Sequence, residues 1–263
     1  MTDSATTAQS PFTPAPGAAP LHRMVRAQAG MELRVLLRNG EQLLLTMVIP
    51  VLLLAGFSLV PLIDLGPGPR VDFLAPSVIA LAVMSTAFTG QAIGTGFERS
   101  YGVLKRLGAT PLSRPGLLAA KTLAVLGVQA IQIVVLCAVA FALGWSPNAG
   151  AAGTAYAAAL ILLATAAFSS LALLMAGTLR AEATLAAANL VYVVLLGLGG
   201  VLFPLSRYPD AARPVIDALP ITALAEGLRT ALSGGPLALA PVAVLAVWAL
   251  IAATLTTRLF RWE

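Results

Sequence analysis

FERSYGVLKRLGATPLSRPGLLAAK, residues 97–121, is a polar interruption between two long apolar runs. It carries Arg99, Lys105, Arg106, Arg114 and Lys121 against a single acid, Glu98. Gly108 favours a helix end and Pro111 bars continuation, so the spacing predicts one short helix from Glu98 to about Leu107. If the flanking runs cross a membrane, a loop this basic belongs on the cytoplasmic side. A short exposed helix there suits a soluble partner that pushes on it.

The rest of the chain supplies the membrane. Of 263 residues, 59% are hydrophobic and 10% charged, with a mean hydropathy of +0.90. Soluble domains carry roughly 25% charged residues and would aggregate under this apolar load. The net charge of +5 follows from basic cytoplasmic loops and does not call for nucleic acid. Cys137 is the only cysteine and His22 the only histidine. No disulfide, thiolate metal cluster, zinc site or Ser-His-Asp arrangement can be assembled from them. No G-x-x-x-x-G-K-[ST] or G-x-G-x-x-G is present either. The chain is therefore expected to bind no metal and no nucleotide of its own, and it reads as a non-enzyme.

In order, residues 1–20 hold four prolines and no periodicity, and read as a disordered cytoplasmic tail without a signal peptide. Residues 21–42 form a basic amphipathic helix: Arg23, Arg26, Arg34 and Arg38 cluster on one face, while Leu21, Met24, Val25, Met31, Val35 and Leu36 gather opposite. Glu32 interrupts the apolar face. Such a helix is expected in the membrane interface. Residues 43–263 then form a transmembrane domain of six helices, about 43–63, 73–96, 117–143, 151–179, 185–205 and 237–257. The fold class is an all-α membrane protein. With both termini inside, cytoplasmic segments hold twelve basic residues and outer segments four, which sets the orientation.

No acid or base is expected mid-span; Asp64, Asp72, Glu98 and Glu182 sit at loop edges. Ion-coupled transporters usually need an intramembrane carboxylate or histidine. Gly90 and Gly94 form a GxxxG, read as helix packing. Gln91, Gln129, Gln132 and Asn189 are expected to bond neighbouring helices, with Gln91 and Asn189 also candidates for a substrate pathway. Phe203 to Gly235, punctuated by Pro204, Pro209, Pro214 and Pro220, is too apolar for a solvated loop. It reads as short helices dipping into the outer half of the membrane.

Two strings carry a family resemblance. Glu98-Arg99-x-x-Gly102-x-Leu104-Lys105-Arg106-Leu107, followed by Ala109-Thr110-Pro111-Leu112, resembles the cytoplasmic loop of type-2 ABC-transporter permeases, the membrane halves of daunorubicin-exporter-like and other multidrug exporters. Phe203-Pro204-Leu205-Ser206-Arg207-x-Pro209, then Leu219-Pro220-Ile221-Thr222 and Gly227-Leu228-Arg229, is similar to that family's stretch before the last span. One departure is Gly199-Gly200-Val201-Leu202, where the family often has Ser-Gly, which leaves open how the fifth span ends.

The resemblance implies a division of labour. Two permease subunits, identical or not, form a pathway in the bacterial plasma membrane. Two copies of a separate ABC ATPase bind ATP and magnesium and dock on the cytoplasmic loops. Glu98, Arg99, Gly102, Leu104, Lys105, Arg106 and Leu107 would form the coupling helix, with Leu104 and Leu107 as its apolar ridge and Arg99, Lys105 and Arg106 pairing with acids. Arg180 and Glu182 would add a second contact. Gln91, Asn189, Phe203 and Pro204 would belong to the pathway or outer gate, and Arg229 would be structural. The implied function is outward movement of a drug, antibiotic or lipid, with antibiotic resistance as the implied outcome. The alternatives are an ion-coupled secondary exporter, a glycan-exporting ABC permease and a non-transporting assembly factor.

Overall fold

Between Asp72 and Glu98 the chain runs 25 residues without a charge, and this run becomes the centre of the molecule. The computed structural model describes residues 17–60, 65, 68–201 and 203–260. Helices α1 (Leu21–Arg38) and α2 (Gly40–Leu59) lead into a continuous rod of α3 (Arg70–Met84), a π-helical turn (Ser85–Gly90) and α4 (Gln91–Ser100). After α5 (Val103–Gly108) come α6 (Arg114–Ala142), α7 (Gly150–Thr178) and α8 (Ala181–Leu198). A 3-10 turn (Leu205–Arg207), α9 (Arg213–Asp217), α10 (Pro220–Leu232) and α11 (Leu239–Leu259) complete the chain. Among the described residues there are no strands.

The rod has 31 residues, about 46 Å at 1.5 Å per residue, against a bilayer core of about 30 Å. Twelve of the fifteen α3 residues are buried. The rod packs on α2, α6, α7, α8 and α10, so a helix hydrophobic all round sits where apolar neighbours surround it.

Among the described residues five helices are long and apolar enough to span: the rod, α6, α7, α8 and α11. The expected first span, 43–63, falls on α2, within which Thr46–Leu59 is an apolar helical stretch. Residues 61–64 lie outside the described residues, as does most of the expected tail, residues 1–16. Pro50 sits inside α2 and has no N–H for the carbonyl of Thr46 four residues back. The Gln132 side chain fills the gap, donating from Nε2 to Thr46 O at 2.6 Å while its Oε1 accepts from Thr86 Oγ1 at 2.9 Å. One amide thereby joins α2, α6 and the π turn.

The other span glutamines also bond across helices, as the sequence predicts. Gln129 donates to Val83 O at 3.2 Å and accepts from Thr165 at 2.8 Å, and Gln91 accepts from Ser169 at 2.8 Å. Asn189 does not: its amide turns back to Leu185 O of its own helix. The GxxxG expectation also fails within this chain. Gly94 is exposed, and a Cβ there would meet nothing within 4 Å.

Close packing falls on other glycines. A Cβ at Gly127 would lie 3.0 Å from the Leu33 side chain, and one at Gly116 would lie 3.2 Å from Leu21. Helix α1 therefore runs beside the first half of α6 in the same direction. Its arginines, Arg23, Arg26, Arg34 and Arg38, are exposed as expected, but its apolar side is divided. Met24, Val25, Leu33 and Leu36 are half-buried, whereas Leu21, Met31 and Val35 are exposed.

The fifth span ends earlier than expected, at Leu198 rather than residue 205, because Gly200 adopts φ +63° and reverses the chain. Ile221 lies against Gly199, leaving no room for a Cβ. The segment that follows is not a solvated loop. Nine residues of α10 are buried, and α10 packs on α3, α7 and α11. Arg229 anchors it, donating to Ser77 Oγ, Gly200 O and Glu226 while its guanidinium lies 4.0 Å from the Phe73 ring centre.

Candidate coupling site at the loop end of the bundle

Charge enters the bundle where α1, α4 and α6 meet. Lys121, 4% exposed, places Nζ 2.7 Å from Glu98 Oε2 and 3.0 Å from Glu32 Oε1. Gln28, one turn before Glu32, donates to the same Glu32 oxygen at 2.9 Å. Each charge alone would be costly to hold away from water; paired and hydrogen-bonded they persist only if all three helices are docked together. A cavity of about 60 Å³ borders the cluster, and the buried Gln91 Nε2 beside it has no hydrogen-bond partner.

The expected single coupling helix is two pieces. Glu98 and Arg99 complete α4, Gly102 turns left-handed at φ +72°, and α5 begins at Val103. A residue with a Cβ is rarely held at such a φ, so the break belongs to this glycine. Leu104, expected to face a partner, is 0% exposed. It packs with Leu112, Leu117, Leu173 and Phe260, with Leu107 partly buried against them. Arg99 is also turned inward: Nη1 donates to Ala176 O at 3.1 Å and Leu179 O at 3.0 Å, satisfying carbonyls at the end of α7.

What remains outside is Tyr101 at 74% exposure, Val103, Lys105 and Arg106. Tyr101 stacks on Phe97 with ring centres 6.2 Å apart; the sequence reading missed it. Arg180 and Glu182, both exposed, flank a hollow of about 290 Å³ together with Gly96, Arg99 and Ser100. The α7–α8 turn and the end of α4 thus present one continuous surface.

The proposed pathway residues are not gathered. Asn189 lines a lateral cleft of about 650 Å³ between α2, the rod and α8, with Thr46, Thr89, Gly94 and Tyr192. Thr89 Oγ1 in the π turn is buried without a partner. Gln91 faces the charged cavity instead. Phe203 and Pro204 lie beyond the far end of α8. Among the described residues no group of His, Cys, Asp and Glu is placed to hold a metal.

A rod of buried helix ringed by apolar helices, with charge kept to its two ends, defines a multi-pass membrane protein. The chain belongs to the ABC-2 type transporter family, whose model matches residues 26–233, from α1 through α10. No curated protein matches it. As a member, it is the membrane permease domain of an ABC transporter.

Proposed function

We propose that this chain is the permease subunit of an ATP-driven exporter, moving a hydrophobic or amphipathic compound such as a drug, antibiotic or lipid outward across the bacterial plasma membrane. A separate ABC ATPase, two copies per complex, binds ATP and magnesium and docks on Tyr101, Val103, Lys105 and Arg106, with Arg180 and Glu182 at the edge. A second permease subunit completes the pathway. Both termini are cytoplasmic, on the charge bias read from the sequence.

The observation that carries this reading is the ion-paired junction of Glu32, Lys121 and Glu98, with Glu98 five residues ahead of the start of α5. A push on α5 meets Leu104 in a packed cluster and Glu98 in a buried ion pair. It is therefore transmitted to α1, α6 and the rod as a rigid unit. The cleft between α2, the rod and α8 is uncharged, with Asn39, Thr46, Ser85, Thr89, Asn189 and Tyr192 as its polar residues, which suits a neutral or amphipathic compound. Co-purification from native membranes in mild detergent tests the reading. A bound ATPase with a phosphate-binding loop supports it; proton-driven transport in vesicles without any ATPase contradicts it.

A further inference from the structure

Helices α6 and α7 meet through the Gln129–Thr165 bond and part beside it into a groove of about 500 Å³. Ile133 and Cys137 of α6 face Ala158 and Ile161 of α7, with Leu228 of α10 at the base and Trp145 at the end away from the loop. Gln129 at the inner end has both its amide atoms engaged, so it offers no unmet polar group. The mouth is edged by the exposed Ala130 and Ala158. From Leu126 to Cys137 the α6 wall rises about 16 Å, roughly half of a bilayer core of about 30 Å.

We propose that this groove seats one acyl chain of a membrane phospholipid as a bound component of the protein. Apart from the Trp145 indole and Thr154, whose hydroxyl already donates to Gly150 O, the lining side chains are apolar or, at Gln129, engaged, so water has little to bond along these walls. An empty groove would forfeit dispersion contacts along its whole lining. A helix of a second copy, about 10 Å across with its side chains, does not fit between helices still joined by Gln129 and Thr165. A single hydrocarbon chain, one leaflet deep and uncharged, matches the length and the chemistry. The inference rests on the chain being a membrane protein and is independent of the compound exported.

The test uses the full chain in phosphatidylcholine nanodiscs doped with a phospholipid carrying a diazirine on one acyl chain, with cross-links mapped by peptide mass spectrometry. A Cys137→Val background removes the thiol's own reactivity. Val134 on the same helix is 69% exposed, whereas position 137 is half-buried. Ordinary surrounding lipid would label 134 more than 137. A seated chain reverses that order, and Ala158→Phe, which fills the mouth, abolishes the label at 137 while sparing 134. Ala130→Leu provides the same reading if the first variant folds poorly. Labelling at 134 equal to or above that at 137 overturns the proposal. So does loss of the 137 label on adding rhodamine 6G, a hydrophobic cation, which would assign the groove to transported compounds.

Discussion

Lys121 and Glu98, 23 positions apart, form a 2.7 Å ion pair that joins the third apolar run to the last turn before the loop that carries α5. With Glu32 as the second acceptor, it ties α1, a helix that looks peripheral in the sequence, to α4 and α6.

Lys121→Met leaves two carboxylates facing each other without a base. A loss of about 3–5 kcal/mol is expected for breaking such a buried pair. It is read as a lowered unfolding midpoint in detergent. Adding Glu32→Gln and Glu98→Gln to the same variant should recover most of the loss, because no uncompensated charge then remains. A triple variant as unstable as the single one would show that packing, not charge, matters here.

Gln132→Leu strands the Thr46 carbonyl and the Thr86 hydroxyl, at an expected cost of about 1–3 kcal/mol. Pro50→Ala restores the helical N–H that Thr46 lacks, so the Gln132 substitution should cost measurably less in that background. A double-mutant cycle on unfolding midpoints gives the coupling; additive effects would contradict the relation between Pro50 and Gln132.

Gly127→Leu drives a side chain into Leu33. Overpacking of this kind costs about 1–3 kcal/mol and should lift α1 from α6, raising its exposure to protease. Leu33→Ala in the same chain should restore protection. If protease sensitivity is unchanged in the single variant, α1 is not held at this contact.

Leu104→Ala and Val103→Ala separate the inward and outward faces of α5. The first empties a fully buried site and should destabilise by about 2–5 kcal/mol; the second should leave stability near that of the parent chain and weaken ATPase binding. The reverse pattern would place the ridge outside, as the sequence alone suggested.

Much of this was legible in the sequence because membrane spans announce themselves by composition. The all-helical class, the basic loop and the cross-helix role of Gln91, Gln129 and Gln132 followed from apolar length and isolated polar residues. The split at Gly102 was missed because a glycine within a short helical pattern does not declare a left-handed φ. The inward turn of Leu104 and Arg99 was missed because both found partners in remote segments, Phe260 and the end of α7. Glu32 gave a usable signal: an acid on the face opposite four arginines requires a base from another helix, and Lys121 supplies it. Gly94 shows the opposite case, where a packing motif read locally met no neighbour within the chain.

The most direct test replaces Lys105 and Arg106 together by Glu and measures ATPase retained on the purified permease. The expected result is loss of ATPase and of ATP-dependent transport, with the unfolding midpoint unchanged because both side chains are exposed. Full ATPase binding and transport by this variant would contradict docking on the outer face of α5.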